Sequence, residues 1–162
     1  MSTAQNPQFP VLINEAVRLE RDGRVGWVVL TRPGQINAIN MDTGDILWQV
    51  AHGETPDPIK NNPALKGLNI PRTGRPGNVG TLVTKTLVVS GEPGFGMTST
   101  GQRGSMLRAY DKKSGAEAGA VYMPAPQSGS PMTYMLNGKQ YLVVAISGGT
   151  YSGELLAFRL PG

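Results

Sequence analysis

Cysteine is absent from the 162 residues, histidine occurs once, and charged residues make up only 16% of the chain. Without cysteine there is no disulfide framework, no thiolate zinc site and no cysteine nucleophile, although the compartment stays open because exported proteins also fold without disulfides. The one histidine, His52, has no cluster of ligand-type residues around it in sequence and reads as a surface or loop-packing side chain. Apolar runs such as 141–146 stop far short of the roughly 20 residues of a membrane helix, so no span is expected. A net charge of +4 is too modest for a dedicated nucleic-acid binder, and no aromatic residue interleaves Lys60, Lys66, Arg72 and Arg75 for base stacking. Residues 1–10 are polar and lack both a basic start and an apolar stretch of about 7 to 15 residues, so they do not read as a signal peptide. They read as a disordered tail.

What the chain does contain is 22 glycines, 13 prolines and short stretches of alternating apolar residues, with no window of helical periodicity. This predicts an all-β protein with strands over 11–19, 26–31, 36–40, 46–51, 80–84, 86–90, 106–110, 118–123, 132–136, 140–147 and 154–160. Asn137-Gly138 predicts a type I′ hairpin, because both central positions of that turn need positive φ. Repetition then organises the strands. Ile36-Asn37-Ala38-Ile39-Asn40-Met41-Asp42-Thr43-Gly44 aligns with Leu107-Arg108-Ala109-Tyr110-Asp111-Lys112-Lys113-Ser114-Gly115, and a third copy begins at Leu155-Leu156-Ala157-Phe158. Ala109 and Ala157 are 48 residues apart, close to the ~40 to 50 of a four-stranded propeller blade. The wider spacing from Ala38 to Ala109 places a strandless insertion at 55–77. The expected organisation is a partial β-propeller domain over 11–162, with blades at 11–51, 78–123 and 130–160, the last lacking its outermost strand. Natural propellers have four to eight blades, so two and a half to three blades would need partners: the remaining blades or another copy of the chain.

The segment from Ala38 through Asp42-Thr43-Gly44 to Trp48 resembles the tryptophan-docking motif of pyrroloquinoline quinone (PQQ) dependent dehydrogenases. Asn40 stands where that pattern has an acidic residue, and the second copy keeps Asp111 but has Gly119 in place of the Trp. Gly129-Ser130-Pro131-Met132-Thr133-Tyr134, Leu136 to Val144 and Ser147-Gly148-Gly149 are similar to the closing blade of membrane-type quinoprotein glucose dehydrogenases, as is Met106 to Asp111. The resemblance runs from about residue 34 to 160. It implies an eight-bladed propeller holding PQQ with Ca or Mg, which oxidises sugars or alcohols, passes electrons to a quinone or cytochrome and resides in the periplasm. No segment matches the family's catalytic Asp, its principal cofactor Lys or its metal ligands. The chain is therefore expected to supply part of the cofactor mouth, with no catalytic or metal-binding residue of its own, and not to bind PQQ stably or turn over alone. The alternative is a non-catalytic propeller scaffold that binds protein.

The cofactor's three carboxylates suit the planar donor fork of arginine. Arg72 and Arg75 close the insertion just before a predicted inner strand, and with Asn78 are expected to approach the propeller axis. Ser130 at the entry to the third blade and the Gly148-Gly149-Thr150 turn are the other expected cofactor contacts. The glycine-rich stretch 91–104, including Gly101-Gln102-Arg103-Gly104, lacks the Lys-Ser/Thr and following helix of a phosphate loop and reads as a strand connection on a rim. Trp48 reads as an inter-blade anchor.

Overall fold

The computed structural model describes residues 17–22, 25–30, 34–40, 42–98 and 101–160. The expected disordered tail at 1–10 and the start of the first expected strand, 11–16, lie outside the described residues. The chain divides into two compact units, residues 1–33 and 34–162. In the first, β1 (Val17–Asp22) pairs antiparallel with β2 (Val25–Leu30). This ladder runs past the expected end at residue 19 because Glu20, Arg21 and Asp22 pair with Trp27, Gly26 and Val25 through backbone bonds that polar residues make as well.

The second unit is three antiparallel sheets in chain order. β3 (Gln35–Ile39) and β4 (Ile46–Ala51) form a hairpin across the Asp42-Thr43-Gly44 turn. The insertion carries one helical turn, α1 (Asp57–Lys60), and a 3₁₀ turn (Pro63–Leu65) but no strand, in line with its prolines. The second meander runs β5 (Thr81–Val83), β6 (Leu87–Gly91), β7 (Gly96–Met97), β8 (Arg103–Asp111) and β9 (Glu117–Met123). The two-residue β7 was not expected from the sequence; it continues the line of β6 along the same edge of β8 after an irregular stretch at 92–95. The third sheet has the order β10 (Met132–Leu136), β11 (Lys139–Gly148), β12 (Tyr151–Arg159). Its first turn has φ of 49° at Asn137 and 72° at Gly138, the positive values that the type I′ reading requires.

The two faces of the second meander differ in chemistry. Val89 and Leu107 point to one face and pack with Met123, Ala125 and the alternate residues Leu142, Val144 and Ile146 of β11, which is the apolar core of the unit. The register places Val88 with Tyr110 and Ser90 with Arg108 on the other face, toward β4 and the insertion.

Trp48 pins the β3–β4 hairpin to the turn between β8 and β9. Its indole N–H donates to the Lys112 carbonyl at 3.0 Å, and its ring lies on Gly115, where a Cβ would stand 2.6 Å from the nearest ring atom. Gly115 is in the left-handed region at φ 73°, so both the turn and the ring demand glycine there. Trp48→Ala is expected to cost ~3 to 5 kcal/mol, as large-to-small changes at packed sites do. Gly115→Ala should also destabilise, by wedging a methyl under the indole. Denaturant unfolding of the two variants beside the parent checks this; an unchanged midpoint for Trp48→Ala would remove the docking role.

Candidate functional site

In an antiparallel meander successive connections alternate between the two ends of the sheet. The β3–β4, β5–β6, β8–β9 and β10–β11 turns therefore share one end. The links 52–80, 92–102, 124–131 and 148–150 share the other, and every residue expected to touch a cofactor belongs to these links. At this end the insertion returns along the hairpin: the Gly34 carbonyl accepts from His52 N–H at 2.8 Å and the His52 carbonyl from Arg75 N–H at 2.7 Å. Gly74, at φ 77°, lies against Gly34 so closely that a Cβ would collide with the Gly34 carbonyl.

Arg108 of β8 sits at the centre of this junction. Its Nε donates to Glu92 Oε1 at 2.7 Å, Nη1 to Glu117 Oε1 at 2.8 Å and Nη2 to Glu54 Oε1 at 3.0 Å. Arg72 closes the network through Nη1 to Glu117 Oε2 at 2.9 Å and Nη2 to the Ala51 carbonyl at 3.3 Å, and Arg75 Nε stands 4.0 Å from Glu92 Oε2. Burial works against the Arg108 charge, but Glu92 and then Glu117 outweigh it and hold the guanidinium above its ordinary pKa. Three carboxylates thus close on guanidinium groups. A cleft of about 350 Å³ runs along the network, lined by Glu54, Arg72, Arg108 and Glu117 with Met97 and Met106.

Beside it, His52 is buried rather than a loop-surface residue. Its Nε2 lies 3.0 Å from the Gly91 carbonyl and its Nδ1 2.9 Å from the Tyr110 hydroxyl. A carbonyl can only accept, so Nε2 carries the ring proton and Nδ1 accepts from the tyrosine. Burial holds His52 below its ordinary value of 6.5, and burial pushes Tyr110 up to about 12.

The seven expected cofactor contacts fall into separate groups. Arg72 is bound to Glu117 at the start of β9, the outermost strand of its meander, and lines the cleft. Arg75 instead donates from Nη1 to the Phe95 carbonyl at 2.6 Å, and its Nε is buried without a hydrogen-bond partner. The Phe95 ring in turn lies against the Gly148-Gly149 turn, within 3.4 and 3.6 Å of the Cβ positions of the two glycines, and carries the Arg103 guanidinium 4.0 Å above its centroid. Ser130 packs on Gly80 at the entry to β5, where the Gly80 carbonyl also accepts from Gln127 and Ser90. Asn78, Ser130, Gly149 and Thr150 are exposed. Sequence reasoning did not find Phe95 or the Glu54–Glu92–Glu117 ring. The available signal was Arg108 itself, a charge set among the apolar residues of Met106-Leu107-Arg108-Ala109-Tyr110.

Replacing Arg108 with Leu should cost ~3 to 5 kcal/mol, the penalty for stranding buried charge. Denaturant unfolding of the variant beside the parent tests this, and an unchanged midpoint would remove Arg108 from the junction. His52 makes stability depend on pH. Its folded value lies below the unfolded 6.5, so the unfolded chain takes the proton first and stability falls as pH drops below about 6.5. His52→Gln, which can accept from Tyr110 and donate to Gly91, should flatten the stability profile between pH 6.5 and 5.5; an unaltered slope would exonerate the histidine.

Residues 6–142 match the model of the glucose/ethanol/alcohol dehydrogenase β-propeller domain, the PQQ type. Among curated proteins, the chain is 27% identical over 133 residues to quinoprotein glucose dehydrogenase A of Acinetobacter calcoaceticus, covering 79% of this chain and 15% of that protein. It is 30% identical over 135 residues to the probable quinate dehydrogenase (quinone) of Xanthomonas campestris pv. juglandis, covering 79% and 16%. It is likewise 30% identical over 135 residues to the glycerol dehydrogenase large subunit of Gluconobacter oxydans, covering 79% and 17%. The chain thus spans about a sixth of the length of these relatives.

Proposed function

Since the chain belongs to the glucose/ethanol/alcohol dehydrogenase β-propeller family, we propose that it forms part of the propeller of a PQQ-dependent dehydrogenase for a sugar or alcohol. The loop end that gathers Arg75, Phe95, Gly80, Ser130 and the Gly148-Gly149-Thr150 turn is, in this reading, its share of the cofactor and substrate mouth. That convergence of links from neighbouring meanders is the observation that carries the proposal.

The donor set suits an anionic, polycarboxylate group. Arg75 brings a guanidinium shared between the Phe95 carbonyl and Glu92, and Ser130, Thr150 and Asn78 offer exposed hydroxyl and amide donors beside the exposed Gly149. When bound, PQQ supplies the two-electron acceptor for alcohol oxidation; Ca or Mg would accompany it on ligands from other blades. What this chain contributes is orientation and charge balance at the carboxylates. Arg72, whose guanidinium is spent on Glu117 and Ala51, ties the insertion to β9 and reaches the mouth only by way of that scaffold.

Catalysis then requires the rest of the propeller, in the periplasm as the family resemblance implies. The face of the third sheet turned away from the core supports packing against a further blade, or a second copy, since Met132, Leu136 and Leu155 on it are 53%, 51% and 73% exposed. Among the described residues no helix is long and apolar enough to cross a membrane.

The test is a PQQ titration of the assembled protein with Arg75 or Arg72 replaced by Ala. Arg75→Ala should weaken binding about tenfold or more, on the order of 1.5 to 3 kcal/mol for a charge-assisted contact, whereas Arg72→Ala should chiefly lower stability. Parental affinity in both variants would move the mouth elsewhere.

A further inference from the structure

The geometry points to Arg103 as a carboxylate-binding residue of the same rim, an assignment that rests on reading this end of the meanders as the ligand mouth. Its backbone is fixed from both sides. Arg103 opens β8 and pairs with Met97 of β7, while the Tyr122 hydroxyl of β9 donates to its carbonyl at 3.0 Å. The β7–β8 turn is closed by Thr98 N–H to the Gln102 carbonyl at 2.9 Å and Gly101 N–H to the Thr98 carbonyl at 3.0 Å. Next to it, Gly104 admits no side chain, because a Cβ there would stand 2.5 Å from the Tyr122 ring.

The side chain is oriented as well. The guanidinium lies 4.0 Å over the Phe95 ring, and the same ring touches the Gly148-Gly149 turn while the same residue's carbonyl holds Arg75. Stacking occupies the flat face of a guanidinium and leaves its in-plane N–H donors for a planar, bidentate acceptor. Among the described residues no carboxylate pairs with Arg103. This separates it from Arg72 and Arg108, whose donors are spent on glutamates. A positively charged, stacked fork unspent on any described carboxylate, near the exposed Gly149, is suited to a carboxylate of the cofactor or of a hydroxy-acid substrate.

Calorimetric titration of the assembled protein with PQQ, and separately with lactate as a simple hydroxycarboxylate, distinguishes the sources. Arg103→Gln should weaken the relevant ligand about tenfold, Arg103→Lys nearly as much because an ammonium cannot stack and fork, and Phe95→Leu a few-fold through loss of the platform. Unfolding midpoints of the Arg103 variants should stay near the parent's, since its guanidinium makes no ion pair with the described residues. A loss confined to PQQ assigns the carboxylate to the cofactor, and one confined to lactate assigns it to the substrate. Parental affinity of Arg103→Gln for both ligands while Arg75→Ala is impaired overturns this assignment and leaves the mouth standing. Parental affinity of both arginine variants for PQQ and lactate overturns the two together.

Discussion

Arg108 is the charge on which the junction between the first hairpin, the insertion and the second meander depends. It is buried in the middle of a strand, where an unpaired guanidinium would cost several kcal/mol. The fold answers with one carboxylate from each neighbouring segment: Glu54 after β4, Glu92 after β6 and Glu117 at the start of β9. Because each glutamate comes from a different segment, satisfying one guanidinium fixes three chain positions at once. The 23-residue stretch at 55–77 can thus be nearly free of regular structure and still return along one path, held at its end by Arg72 and by the His52–Arg75 backbone bond.

The two junctions of the unit are held by different physics. Between the second and third sheets, alternate residues interdigitate as a dry core of Val, Leu, Ile and Met, in which area and shape decide the fit. Between the hairpin and the second meander the contacts are directional, through Trp48 to Lys112 at one end and His52, Tyr110 and Arg108 toward the other. Directional contacts set an orientation more sharply than apolar packing, which tolerates sliding. The loop end that gathers the candidate ligand contacts therefore stands on a scaffold fixed in angle and in register, as a site that must hold a planar ligand requires.

Several features were legible in the residues themselves. Period-2 alternation gave the strands, Asn137-Gly138 the I′ hairpin and the repeated Ala-x-x-x-x-Thr/Ser-Gly pattern the succession of meanders. The match of residues 6–142 to the propeller family agrees with the all-β propeller reading, and the strand and turn signals are local, depending only on side-chain periodicity or backbone φ. The resemblance of the Trp48 segment to a docking motif likewise pointed to a partner in the next repeat, and the indole lies on Gly115 there. Less legible was the two-residue β7, whose pairing needs only backbone and leaves no pattern in Gly96-Met97.

By itself the sequence determined the all-β class, the order of the meanders and the end of the sheets where the long links gather, since these follow from alternation and from the geometry of antiparallel connections. Only the tertiary structure decided which arginine does what. Arg72, Arg75, Arg103 and Arg108 are chemically identical in the chain, yet one is spent on a surface glutamate, one holds a carbonyl, one stacks on a phenyl ring and one is buried among three carboxylates. The partners that separate them, Glu117, Phe95, Glu92 and Glu54, lie 16 to 54 residues from Arg108 or on the far side of a turn. No local pattern encodes contacts of that range, because they exist only once the sheets have packed and the insertion has come to rest across them.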